Sequence, residues 1–333
     1  MAFYANAPLP DTNARQVAQT IRMPSSAILA IDSEDRYRDY TDALANPSTP
    51  YSFSISKSEN LMAGFFTRIG VTEVVFPWAI PNINQKTNQI SYTYQIGAAP
   101  SVTIPLTLPT GFYKPAELAA RIQYDISANT GVNPTFTYGG GGASPIGNNA
   151  ALPQFQYNMG PGNTILFSRL TPNTAAYPYG ANSKQLFDLL GFDVANTAPL
   201  QLSAGRFTYC QAVKYVDIVC NQLTYNQTVK DSMSQPIIRD TLCRIYIADS
   251  IGTNQSTVSP ADPTFCPVGC APTTLYRNFA TPKMIQWLPN QNIPGYLKFE
   301  VYDDGGEILT DTYSVTTVFG AMDWQMTLLA TEN

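Results

Sequence analysis

Three groups of side chains have types and spacing that chemistry could use. Asp303, Asp304 and Glu307 place three carboxylates within a short stretch, the raw material of a calcium site or of a glycosidase's paired acids. Cys266 and Cys270 are spaced to share a metal ion or a disulfide. Asp32, Glu34, Asp35, Arg36, Arg38 and Asp39 form the densest charge cluster in the chain. Each group has a plainer reading. The carboxylates flank Gly305 and Gly306, so a solvated hairpin tip is expected there. A zinc site would need two more ligands from Cys210, Cys220 and Cys243, which fall in expected strands, so two loop cysteines are the simpler account. The charge cluster reads either as a solvated loop with local ion pairs or as a docking device. In the second reading the planar fork of Arg36 grips a buried carboxylate or backbone carbonyls.

Other chemistry is excluded more firmly. The chain has no histidine, which removes Ser-His-Asp and Cys-His nucleophiles, imidazole acid/base work and most zinc sites. There is no phosphate-binding loop ending in Gly-Lys-Ser/Thr, and Gly160-Pro161-Gly162 lacks the third glycine of a dinucleotide fingerprint. A net charge of −5 argues against binding a nucleic-acid backbone, which takes clustered Lys and Arg. No stretch approaches the length of a spanning helix, and residues Met1 to Pro10 show neither half of a secretory signal. The expectation is a non-enzyme with no catalytic, cofactor or metal site. Charged residues are only 13% of the chain, whereas Tyr and Phe number 20 and 16. That balance suits a surface largely covered by partners. Five cysteines without a regular framework fit a reducing compartment.

These residues must be carried by strands. Short β-like runs separated by turn-rich loops are read at Ala27 to Ile31, Tyr51 to Ile55, Phe66 to Phe76 ending at Pro77, Val213 to Cys220 and Leu242 to Ile247, with further runs at Lys283 to Leu288, Tyr296 to Tyr302 and Trp324 to Leu329. Alternation is clearest where Leu297, Phe299 and Val301 oppose Lys298, Glu300 and Tyr302. Eight runs suit a single jelly roll, an eight-stranded antiparallel sandwich. Between them lies a charge-poor stretch with a four-glycine run at Gly139 to Gly142. It reads as a small inserted β/α subdomain with strands at Ile90 to Ile96 and Val102 to Leu108. A helix starts at Pro115; Leu118, Ile122 and Ile126 line one face, and Glu117, Arg121 and Asp125 form charge pairs on the other. A second helix, Lys184 to Leu190, stops at Gly191. Both helices are expected to cover one face of a small sheet. The expected division is an N-terminal arm at 1–24, jelly roll at 25–84 and 206–333, and the insertion at 85–205.

Three motifs carry a family resemblance. After the first strand come Asp32-Ser33-Glu34-Asp35-Arg36, then Asn46-Pro47 and the alternating Tyr51 to Ile55. Pro81-Asn82-Ile83-Asn84 follows a hydrophobic strand, with Asn88 beyond it. Gly111-Phe112-Tyr113 leads into the Leu118 helix, with Leu189-Leu190-Gly191-Phe192 downstream. In this order they resemble the penton, or minor capsid, proteins of virophages, polinton-like viruses and nucleocytoplasmic large DNA viruses. The stretch from Thr253 to Pro272, holding Cys266 and Cys270, has no counterpart in that resemblance.

The resemblance implies a structural capsid protein of the virion, made in the host cytoplasm. It would form a homopentamer at an icosahedral vertex, surrounded by double-jelly-roll major capsid proteins. The insertion would point outward, toward a fibre or a host surface, and the arm would order on assembly. It also favours the docking role for Arg36, and marks Asp32, Ser33, Asp35, Arg36, Asn46, Pro47, Pro81, Asn82 and Asn84 as structural motif residues. Two other readings compete. One is a carbohydrate-binding host-attachment module using exposed tyrosines and Trp78 or Trp287 as sugar platforms; the other is a glycosidase using Asp303 and Glu307.

Overall fold

Period-two alternation puts one apolar edge of each strand inward, and two antiparallel sheets close over the result. The computed structural model describes residues 25–38, 49–57, 59–62, 64–78, 80–138, 154–181, 183–192, 210–225, 241–247, 273–288, 292–309 and 322–332. The arm at 1–24, Asn46, Pro47, the four-glycine run and the Cys266/Cys270 stretch lie outside the described residues.

The chain runs β1 (Ser26–Asp32), a 3-10 turn (Ser33–Arg38), β2 (Ser52–Ser56) and β3 (Arg68–Trp78). A middle segment follows with β4 (Gln89–Ile96), β5 (Val102–Thr107), α1 (Pro115–Thr130), β6 (Thr135–Tyr138), β7 (Phe155–Asn158), β8 (Asn163–Ser168) and α2 (Leu186–Leu189). It then returns through β9 (Tyr215–Val219), α3 (Asn221–Thr224), β10 (Thr241–Tyr246), β11 (Thr273–Asn278), β12 (Met284–Gln286), β13 (Tyr296–Asp303) and β14 (Gln325–Thr331).

One sheet has the order β1-β14-β3-β11, with β12 also on β3, and the other β10-β9-β13-β2. Both β11 and β12 pair antiparallel with β3, one after the other, and act as a single interrupted strand. Counted that way, the first, eighth, third and sixth strands form one sheet, and the fifth, fourth, seventh and second the other. This is the double-sheet jelly-roll order. The protein is an all-β single jelly roll.

Between the sheets, Phe53 and Phe299 stack at 5.5 Å, and Trp324 meets Phe53 at 5.6 Å and Phe76 at 6.2 Å. All four rings are buried, and such rings supply the largest apolar areas a core can bury. The middle segment builds its own three-stranded sheet, β5-β4-β8, and a two-stranded one, β6-β7. The helix α1 packs on β6, and α2 packs against β4. Leu118, Ile122 and Ile126 face inward from α1, and Phe167 stacks on Phe192 at 4.7 Å.

Several sequence expectations need correction. Pro77 does not end its strand: β3 continues to Trp78, because at Pro77 only β11 is alongside and the missing N–H is not needed by β14. Four strands were not anticipated. β6, β7 and β8 lie in a stretch of short, polar-interrupted runs, and β11 shows apolar residues only at Leu275 and Tyr276. The second helix is shorter than its periodicity, spanning Leu186–Leu189. On α1, Arg121 pairs with Asp125 at 3.0 Å as its spacing requires, yet Arg121 is buried and not on a solvated face. Of the three described cysteines only Cys243 lies in a strand: Cys220 precedes α3, and Cys210 has a positive φ incompatible with one.

Candidate functional site

The first motif forms a joint at the edge of the sandwich. As β1 ends, Asp32 accepts the Glu34 N–H and a second bond from Gln325 Nε2 at 2.7 Å, which starts the 3-10 turn and ties it to β14. Asp35 lies half-buried in the same turn. Ser33 is fully buried; its Oγ donates to Asp323 at 2.7 Å and accepts from the Trp324 N–H at 2.9 Å. Arg36, 4% exposed, donates to the Ser33 carbonyl at 2.6 Å and to the Asp323 carboxylate. The carboxylate it meets is itself partly exposed, 36% for the side chain. Beneath this joint the Trp324 indole donates to the Pro50 carbonyl and reaches the aromatic core. Ser33 and Arg36 thus fasten the first strand to the residues that launch the last.

The second motif forms the joint where the chain leaves the sandwich after β3 and returns before β9. Pro81, Asn82 and Asn84 are all buried. The Asn82 amide makes four bonds: Oδ1 accepts from Ile83 and Tyr113, and Nδ2 donates to the carbonyls of Tyr113 and Cys210. One side chain therefore holds the outgoing chain, the approach to α1 and the returning chain together, with every amide site satisfied. Asn84 closes a local turn, donating to the Pro81 carbonyl and accepting from the Lys86 N–H.

Beside this joint, lysines of the middle segment meet carboxylates of the turn after β13. Lys86 pairs with Glu307, and Lys184 with Asp304 at 2.6 Å. Ser183 Oγ donates to Glu307 at 2.9 Å, and Asp303 accepts the Glu307 N–H at 2.9 Å. The expected solvated hairpin tip is therefore corrected. Asp303 is buried, and the acidic group is the seat of the middle segment. No sequence rule pairs residues 86 and 184 with 307 and 304; the return of the chain to the sandwich brings them together.

Solved structures similar to this chain include the following two. One is the mavirus penton protein, at 10% sequence identity and a TM-score of 0.44, covering 92% of this chain and 98% of that one. The other is a chain of the Sputnik virophage structure from cryo-EM, at 12% identity and a TM-score of 0.40, with the same coverage of 92% and 98%. No protein-family model and no curated protein matches the sequence.

The competing chemical readings fare differently. Trp78 and Trp287 are buried, 6% and 4% exposed, so neither is a sugar platform. The pair Asp303 and Glu307 is engaged with Lys86, Ser183 and its own backbone. Burial pushes the Cys220 thiol up to about 12 and raises Cys210 and Cys243 as well, which keeps all three protonated and unreactive. Among the described residues no cluster of acidic or thiol side chains could hold a metal ion.

Sequence reasoning also missed a charged pair within the sandwich. Asp217 is 2% exposed on the outer face of β9 and takes a bidentate bond from Arg244 on β10, at 2.7 and 2.9 Å. The Arg244 guanidinium also lies 4.0 Å from the centre of the Tyr215 ring. The hydrogen bond to Asp217 raises the pKa of Arg244, partly opposed by burial, so the cation is permanent. The available signal was one opposite charge in each of two otherwise apolar runs, Tyr-Val-Asp-Ile-Val and Leu-Cys-Arg-Ile-Tyr.

Proposed function

We propose that this chain is a structural capsid protein, and that it forms the pentameric vertex of an icosahedral virus with double-jelly-roll major capsid proteins. The observation that carries the reading is where the resemblance motifs fall. In a single jelly roll, Ser33 and Arg36 fasten the first strand to the last, and Asn82 and Asn84 mount the segment between the third and fourth sandwich strands. The residues that carry the resemblance thus hold the joints of the sandwich, which supports a structural role. The division into an arm at 1–24, a sandwich at 25–84 and 206–333 and an insertion at 85–205 belongs to the same proposal. So do the major capsid protein as neighbour, an outward-facing insertion available to a fibre or host surface, and location in the virion after synthesis in the host cytoplasm.

A closed ring of five uses head-to-tail contacts, so each copy presents two different complementary faces. The low charge and high tyrosine content support extensive coverage by neighbours. The test is the solution mass of the full chain by light scattering behind a sizing column. A species of five times the 36.4 kDa chain mass is expected. A stable dimer or trimer at all concentrations would overturn the vertex reading.

A further inference from the structure

The joint between the middle segment and the sandwich has two chemically different halves. The Asn82 half is neutral and buried: its four amide bonds and the paired backbone of Ile83 and Gly111 are shielded from solvent and ions. The lysine half is ionic and reaches solvent through one partner of each pair, with side-chain exposures of 34% for Glu307 against 11% for Lys86, and 30% for Lys184 against 9% for Asp304. The cations of that half come from the middle segment and the carboxylates from the sandwich turn. Buried Tyr177 makes the lysines one unit, since its hydroxyl lies 3.0 Å from the Lys86 carbonyl and 3.3 Å from that of Lys184. Between the two sides is a cavity of about 20 Å³ lined by both lysines, Ser183, Asp304 and Glu307, space for about one water.

We propose that the turn at 303–307 is a latch and the Asn82 amide a pivot, giving the middle segment a seated and a released orientation on the sandwich. Lys86 and Lys184 hold the seated state. Removing their charges frees it while the pivot stays closed, and salt loosens it in part, because each pair has one partner that reaches solvent whereas the neutral amide bonds are buried. The inference stands whether or not the chain forms a vertex, since it concerns contacts within one copy.

Native-state hydrogen exchange on the full chain tests it. In Lys86→Ala/Lys184→Ala, and to a smaller extent in the unaltered chain at about 1 M salt, the amides of Asp303, Gly306 and Leu309 are expected to exchange faster, about ten-fold or more in the double variant. Those of Ile83, Gly111 and Tyr113 should keep their protection. Lys184→Asp alone should show the same loss, and adding Asp304→Lys should restore part of it, the bond from Lys184 Nζ to the Ala212 carbonyl staying lost in the exchanged pair. Unchanged protection at the turn overturns the latch. Loss that extends equally to Ile83, Gly111 and Tyr113 overturns the pivot. Failure of the exchanged pair to recover protection overturns the ionic origin.

Discussion

Arg36 shows how much one guanidinium can organise. Its removal leaves the Ser33 carbonyl and the Asp323 carboxylate short of a donor beside a buried serine. Arg36→Ala is therefore expected to cost about 1–3 kcal/mol in a denaturant titration, the usual penalty for stranding such groups. Lysine should recover part of it, because both bonds leave one nitrogen, Nη1, and an ammonium can also donate twice from one atom. The buried titrating groups make a second prediction at this scale. Burial raises the Cys220 thiol from 9.0 and the Tyr157 hydroxyl from 10.0, each to about 12. The unfolded chain loses those protons first, so their contribution is complete below about pH 9 and disappears as pH approaches 12. Unfolding midpoints measured across that range should fall, and Cys220→Ala with Tyr157→Phe should flatten the fall. Cys210, Cys220 and Cys243 should also resist alkylation in the folded chain near pH 8, as read by peptide mass spectrometry.

Among the elements, the start of β13 is the tightest crossing. Lys57 donates its N–H to the Gly295 carbonyl at 2.8 Å, and a Cβ at Gly295 would collide with the carbonyl oxygens of Lys57 and Glu59. These are backbone atoms that cannot swing aside, so Gly295→Ala is expected to destabilise by about 1–3 kcal/mol. Thermal denaturation measures it, with Gly97→Ser as a contrasting site where the open space around the Cβ leaves only backbone strain. The Asn82 joint makes a parallel case. Asn82→Ala strands the Tyr113 N–H and the carbonyls of Tyr113 and Cys210. A loss of about 2 kcal/mol or more is expected in denaturant unfolding, because three chain segments converge on that amide.

For the whole molecule, the vertex reading requires contacts between copies that owe little to charge. The composition is charge-poor, and the Asp217–Arg244 pair on the outer face of its sheet is already satisfied within the chain. The mass of the assembled species is accordingly expected to be the same at about 0.1 and 1 M salt, conditions between which exposed ion pairs are strongly screened. Light scattering at both concentrations checks this. A salt-dependent mass would point to ionic contacts between copies.

The sequence by itself determined that the protein is built of strands, and where most of them lie. Leu297, Phe299, Val301, Met326 and Leu328 alternate with polar neighbours because one face of a strand must be buried and the other wetted, and all five are buried here. The start of α1 at Pro115 was legible for an equally local reason. Strands β6 to β8 and β11 were not, since half-polar runs gain their strand character from partners. Only the tertiary structure decided which strand lies beside which, and with it every long-range polar contact: Arg36 with Asp323, Lys184 with Asp304, Asn82 with Cys210. The acidic turn at 303–307 carries the physical reason. Its glycines dictate a turn from local backbone freedom, but whether carboxylates in a turn face water or lysines depends on what a distant stretch of chain brings against them.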